Sequence, residues 1–410
     1  MKICQINCVY GVGSTGKIVR DIHLTLKKDG YDSIVVTPKG SPFTKEEDVF
    51  VTSNKLLSYA SAILRRGLCM SFDWAYFQTY RIIRILKNER PDVVHLHCIN
   101  GNDINIYMLL RFLAKNRIKT LYTLHAEFPY TGGCGNTLDC NRWLNGCGKC
   151  PNLKAGLQSY FFDGTHRTWK KQEACYNMFE SHDLRFTAVS PWLLERAASS
   201  TMLKPFGKCV VMNGVDTNIF YYCDTKDVWR NRLGIQPDEL IIAHVTAGFF
   251  PHEDNLKGGR FIIELAKRLS DKRVKIIVAA NYGDGSNLPD NVVYIGRTRS
   301  QKELADLYRD SNLTVITSSS ETFGMPVAES LCCGTPVVGF KAGGPESITI
   351  PAYSSFVTYG NVDALEDTVL SFINRVDDKR SISSEALSVF SKRRMAEDYI
   401  KQYKKLQECI

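Results

Sequence analysis

The chain has 410 residues, of which 44% are apolar, 11% aromatic and 23% charged. That composition describes a folded protein long enough for two or three hydrophobic cores and excludes a fibrous or disordered chain. Lys and Arg number 52 against 43 Asp and Glu, a formal charge of +9, and no uncharged apolar stretch approaches the ~18 residues a membrane-spanning helix needs.

At the amino end, Met1-Lys2-Ile3-Cys4-Gln5-Ile6-Asn7-Cys8 carries one cation and a short apolar run that meets a glycine-rich turn instead of a small-residue cleavage site. It predicts a first strand and not a signal peptide, so the chain is expected to stay in the cytoplasm. Further strands are predicted over 33–37, 92–97, 119–125, 185–189 and 208–212, with helices over 17–28, 54–87, 104–115, 167–179 and 191–198. A second set of strands starts afresh at 240–245 and continues through 273–280, 292–294, 313–317 and 335–340, with helices over 257–269, 301–309, 326–332 and 364–373. This alternation predicts βαβ units and parallel sheets, hence two doubly wound α/β domains. The turn-rich Asn213-Gly214-Val215-Asp216 marks the crossing. Domains are expected over 1–212 and 213–388, followed by a C-terminal segment over 389–410 whose residues 393–406 form an amphipathic helix. Residues 55–119 hold eleven Lys and Arg against four Asp and Glu, +7 in 65 residues, so one face of the first half should be positive.

Gly11-Val12-Gly13-Ser14-Thr15-Gly16-Lys17 stands between the first strand and first helix, where backbone N–H groups and the helix dipole favour anions. A P-loop would need a Ser or Thr hydroxyl where Ile18 stands. A dinucleotide fingerprint would need an acid where Thr37-Pro38-Lys39 ends the second strand. A tight turn and a flexible glycine loop at the mouth of a cleft are the other readings. A sharper signal is Ser318-Ser319-Ser320-Glu321-Thr322-Phe323-Gly324-Met325-Pro326-Val327-Ala328-Glu329, directly after a predicted strand. Pro326 suits the first helical position, so Gly324 and Met325 present N–H groups as a diphosphate seat. Glu321 and Glu329 flank that seat and can accept hydroxyls of a sugar or ribose. Alternatively, Glu321 caps the helix and Glu329 is a solvated first-turn acid.

Glu321 with seven residues before Glu329, followed by Gly334-Thr335-Pro336-Val337-Val338 and Gly343-Gly344-Pro345-Glu346, resembles the donor-binding half of the retaining family-four glycosyltransferases of GT-B fold. Asn213-Gly214-Val215-Asp216, His125 and Lys257-Gly258 resemble that family's domain crossing, amino-domain histidine and phosphate-binding lysine, and the likeness spans roughly the whole chain. The resemblance implies two Rossmann-like domains facing a cleft, the first on the acceptor side and the second binding the donor nucleotide. It also implies a C-terminal helix returning to the amino domain and retaining transfer without a catalytic metal. Glu321 would hold the donor sugar, Glu329 the ribose, and Gly324 and Met325 the diphosphate. Lys257 would offset charge on the departing diphosphate, His125 would touch the transferred sugar, and Gly13-Ser14 would approach the diphosphate or acceptor. Two features depart from the family pattern: residues 245–256 hold no arginine, so that either a single cation serves or Arg260 or His252 substitutes, and the first loop reads Gly13-Ser14.

A Cys-rich insertion over 131–152 places Cys134, Cys140, Cys147 and Cys150 within 17 residues. Such a set could wrap a structural zinc, remain as free or disulfide-linked thiols, or serve redox chemistry. The expected activity is sugar transfer from a UDP- or GDP-linked donor to a hydroxyl of a lipid-linked or polysaccharide acceptor, with peripheral attachment to an anionic inner leaflet through 54–87. The alternatives are a nucleotide-sugar 2-epimerase of related fold and a zinc-bearing nucleic-acid binder. The latter is disfavoured because no interleaved basic and aromatic motif is present, so no nucleic-acid partner is expected.

Overall fold

The computed structural model describes residues 1–53, 73–100, 103–154, 159, 162–224, 227–375 and 377–408. It divides into two compact units, one comprising Met1–Met212 with Met395–Ile410 and the other Asn213–Arg394. The first unit contains β1 (Lys2–Ile6), β2 (Asp32–Thr37), β3 (Val49–Val51), β4 (Val93–Leu96), β5 (Thr120–Leu124), β6 (Leu184–Ala188) and β7 (Gly207–Val210). Its helices are α1 (Gly13–Lys28), α2 (Tyr76–Glu89), α3 (Ile106–Lys115), α4 (Thr165–Tyr176) and α5 (Pro191–Ser199). The second contains β8 (Leu240–Phe249), β9 (Val274–Gly283), β10 (Val292–Gly296), β11 (Leu313–Ile316), β12 (Val337–Phe340) and β13 (Ser354–Val357). Its helices are α6 (Val228–Leu233), α7 (Gly259–Arg268), α8 (Gln301–Asp310), α9 (Met325–Cys332), α10 (Gly344–Ser347), α11 (Val362–Ile373) and α12 (Lys379–Phe390), and the last helix is α13 (Lys392–Glu408).

The first sheet has the order β3-β2-β1-β4-β5-β6-β7 and the second β10-β9-β8-β11-β12-β13. Every pairing is parallel, with Ile3 beside Ser33 and Val93 in the first sheet and Ile242 beside Ile276 and Leu313 in the second. Parallel strands covered by helices on both faces must be apolar throughout, and β4, β5, β11 and β12 are buried at every position. In the second unit Ile242, Ile276, Val315 and Val338 from the sheet pack with Ile262 and Leu265 of α7 and Leu365 and Val369 of α11. In the first unit Ile3, Val93 and Leu121 pack with Ile18 and Ile22 of α1 and with Met395, Tyr399 and Tyr403 of α13. The apolar stripe of α13 repeats at three- and four-residue intervals, one face of a helix, and that face buries on the first sheet.

The order of strands reverses between β1 and β4 in one sheet and between β8 and β11 in the other. At such a switch point adjacent crossovers leave in opposite directions, and a crevice opens beyond the carboxyl ends of the two central strands. The glycine loop follows β1, the segment ending in Lys257 follows β8, and Glu321 follows β11.

Candidate functional site

The switch point of the second unit is built from two loops that fasten each other. Ser319 N–H donates to the Leu256 carbonyl at 2.9 Å, and the Thr317 hydroxyl donates to the Lys257 carbonyl at 3.0 Å. Lys257 N–H is turned onto Asn255 Oδ1 at 2.9 Å. Gly258 has a φ of +66°, and a Cβ there would lie 2.2 Å from the Thr317 carbonyl oxygen, so only glycine lets the loops meet. With both backbones fixed, Lys257 Nζ reaches Glu321 Oε1 at 2.5 Å, and both side chains are half-buried.

Glu321 is also held from the other side. Its N–H donates to the Ala342 carbonyl at 2.9 Å and its carbonyl accepts from Gly344 N–H at 2.8 Å. Glu346 fixes that neighbouring loop, because its carboxylate accepts Ala342 N–H at 2.9 Å and Gly343 N–H at 2.8 Å. Helix α9 begins at Met325, one residue before the position the sequence suggested, so Pro326 is second in the helix. Gly324 precedes it as the N-cap at a φ of +88°, and makes no side-chain cap to the first turn. A helix start without a side-chain cap leaves N–H groups to a ligand or water. Glu321 therefore does not cap α9. Glu329 falls in the second turn and is 9% exposed, so it is not a solvated acid, and its Oε2 accepts the buried Tyr308 hydroxyl at 3.1 Å. Of the two residues considered as stand-ins for an arginine, Arg260 pairs with Asp254 at 3.3 Å and His252 lies on the surface facing the Ser286 carbonyl.

In the first unit Gly13 and Ser14 form the exposed first turn of α1, with Gly11 N–H closing the loop on the Gly16 carbonyl at 2.9 Å. His125 follows β5, is 8% exposed, and stands with Nε2 3.1 Å from Nδ1 of His97. Burial lowers the His125 pKa to about 4, so its ring is neutral at pH 7. The four cysteines of the insertion line one cavity of about 20 Å³. Among the described residues, no three His, Cys, Asp or Glu are arranged to hold a metal ion. Gly132 N–H points at Cys147 Sγ over 3.1 Å. The loop is fastened to its unit by Glu127, buried to 1%, which accepts Arg196 Nε at 2.6 Å and Thr137 N–H at 2.6 Å.

Sequence reading did not single out Gln5, His97, Glu127, Arg196, Tyr308 or Glu346 in these roles. Glu346 lay in a quoted motif, and His97 stood at the end of a predicted strand. Those were the available signals.

Two family models match the chain: glycosyl transferases group 1 over residues 227–388 and glycosyltransferase family 4 over residues 15–219. The chain belongs to glycosyltransferase family 4. As a family 4 glycosyltransferase it is 21% identical over 99% of its length to all of WcaC of Escherichia coli (strain K12), a protein assigned to colanic acid biosynthesis as a glycosyl transferase. A glycosyltransferase from Rickettsia africae superposes with a TM-score of 0.68 at 16% identity, covering 99% of this chain and 98% of that one. Anabaena HepE, solved with UDP and glucose, superposes with a TM-score of 0.65 at 16% identity over 98% of this chain and 99% of its own. These neighbours share the GT-B fold, so the glycosyltransferase consists of two Rossmann-like units. No helix among its described residues is long and apolar enough to cross a membrane.

Proposed function

We propose that this glycosyltransferase moves a sugar from a UDP- or GDP-linked donor to a hydroxyl of a lipid-linked or polysaccharide acceptor, retaining the anomeric configuration without a catalytic metal. The observation that carries the donor half is the Lys257–Glu321 pair beside the start of α9, with Glu329 buried one turn further on. A nucleotide sugar presents, in order, a diphosphate, a ribose and a sugar rich in hydroxyls. The uncapped start of α9, with the N–H groups of Gly324 and Met325, suits the diphosphate, Glu329 suits the ribose and Glu321 the sugar.

When the bond between the anomeric carbon and the diphosphate oxygen breaks, negative charge grows on the leaving group and positive charge on the sugar. Lys257 then serves the first and Glu321 the second. The two side chains pair with each other, which keeps both beside the start of α9, so that only this one pairing has to give way when the donor takes its place. His125 of the first unit would contact the transferred sugar, and Gly13-Ser14 would approach the diphosphate or acceptor.

Glu321→Gln keeps the shape and one acceptor oxygen but removes the charge. It is expected to lower kcat about a hundredfold while donor affinity survives. A variant with wild-type kcat would sink the assignment.

An acceptor carried on a lipid calls for a surface that meets the bilayer. Of the segment 54–87 expected to do so, residues 54–72 lie outside those described. On α2, Tyr76, Phe77 and Tyr80 are 58%, 57% and 58% exposed, and Arg81 sits over the Phe77 ring at 4.9 Å. Aromatic rings beside cations suit the interface of an anionic leaflet. Flotation with anionic liposomes at low salt and release at high salt are expected, and protein that stays at the bottom of the gradient removes this part of the reading. The insertion is assigned a structural zinc. Its support is the donor set, four thiols around one cavity with room for a single small ion.

A further inference from the structure

The carboxyl ends of β1, β4 and β5 carry three polar side chains in series, all buried: Gln5, His97 and His125. Gln5 Nε2 lies 3.4 Å from the Val19 carbonyl oxygen, Gln5 Oε1 lies 3.2 Å from His97 Nε2, and His97 Nδ1 lies 3.1 Å from His125 Nε2. The His97 and His125 rings are stacked with centroids 5.4 Å apart, and His95 covers His97 at 3.8 Å.

The direction of each bond in this series follows from the one before it. The Val19 carbonyl can only accept, so the amide nitrogen of Gln5 faces it and the amide oxygen faces His97. That oxygen cannot donate, so His97 Nε2 carries the proton. Burial holds the His97 ring neutral, and a neutral imidazole has one protonated nitrogen, so His97 Nδ1 is a lone pair. The hydrogen bond to His125 then requires His125 Nε2 to donate. His125, neutral in turn, keeps no proton on Nδ1.

We infer that Gln5 and His97 form a relay that fixes His125 in its Nε2–H tautomer, the form in which it would meet the transferred sugar. This rests on the reading of His125 as the sugar contact, and within it Gln5 and His97 are positioning residues. The relay spans β1, β4 and β5 and begins on α1, so the tautomer depends on the first sheet being assembled in register.

The test is nitrogen NMR on full-length protein labelled with 15N-histidine. Its eight histidines give few signals, and the spectrum of His125→Gln identifies the pair from His125 by its loss. At pH 7.5 the wild type should show His125 Nε2 protonated and Nδ1 bare. Gln5→Met removes the acceptor at nearly unchanged volume. It should give His125 mixed tautomers and lower kcat by roughly tenfold, the size of one lost hydrogen bond, with donor affinity unchanged. A wild-type His125 protonated on Nδ1, or on both nitrogens, overturns the relay. So do His125 signals in Gln5→Met that match the wild type. Should Gln5→Met fail to fold, the wild-type spectrum alone decides. Full transfer activity in His125→Gln would instead overturn the sugar contact, while the tautomer would still be read from the wild type.

Discussion

Lys257 and Glu321 keep 29% and 28% of their side-chain surface exposed, a depth at which each still exchanges its partner for a ligand without leaving a buried charge unpaired. Glu329 is in a different position. Its carboxylate sits at 9% exposure with the Tyr308 hydroxyl bonded to one oxygen, and burial with the neighbouring carboxylate pushes that phenol well above its usual pKa, so it stays a donor. Glu329→Gln keeps an acceptor for Tyr308 and removes the charge that a donor's ribose hydroxyls would meet. Hydrogen bonds to charged groups contribute about 1.5–3 kcal/mol, so donor affinity is expected to fall about tenfold or more with kcat nearly kept. Titration calorimetry with the nucleotide sugar that binds the wild type reads this, and unchanged affinity would remove the ribose assignment. At this scale the residues proposed for the donor stand out in the sequence because they are local: Glu321, Gly324, Met325 and Glu329 lie within one loop and the first turns of one helix. Gln5 and His97 do not, being 92 residues apart in the chain. No spacing rule connects them until the sheet brings β1 beside β4.

The elements themselves were largely readable because two-sided burial makes the central strands β-branched and apolar. The predicted strands at 92–97, 119–125 and 313–317 overlap β4, β5 and β11 to within a residue or two. The edge strands β3 and β13 were missed; at three and four residues they carry no alternation to detect. Helices α6 and α12 were missed as well, and α6 spans only six residues with a single buried one, Trp229. The insertion belongs to this scale, since its fold depends on a few ties: Glu127 to Thr137 and Arg196, and the Trp169 indole to the Trp143 carbonyl at 3.0 Å. A zinc bound to Cys134, Cys140, Cys147 and Cys150 would need those thiols to turn inward to about 2.3 Å from a common centre. Elemental analysis of protein made under reducing, chelator-free conditions is expected to give close to one zinc per chain, lowered in Cys147→Ser. Metal-free protein from that preparation would leave the loop to its hydrogen bonds alone.

Across the whole molecule the two sheets share one construction, parallel strands with a reversal beside the first strand of each unit, and buried imidazoles gather in the first unit, with His244 alone buried among the described histidines of the second. His23, His125 and His244 are each depressed to about 4 by burial, and His95 and His97 lie well below their usual range for the same reason. In the unfolded chain these rings take up a proton below about 6.5, whereas in the folded chain they resist it until about pH 4 or lower. Between those values the unfolded state binds more protons, so stability is complete above about pH 6.5 and falls as the pH drops. Each unit of depression corresponds to about 1.36 kcal/mol, and the rings all act in the same direction. Carboxylates remain ionised above about pH 5, which separates their contribution from that of the rings. The midpoint of thermal unfolding should therefore decline steadily from pH 7 to 5. The decline should be shallower in His244→Gln, which removes one such ring, the one bonded through Nδ1 to the Val315 carbonyl at 2.9 Å. A midpoint that stays level over that interval would mean that the imidazoles are protonated in the folded state. The neutral series from Gln5 to His125 would then lose its basis along with the pH dependence.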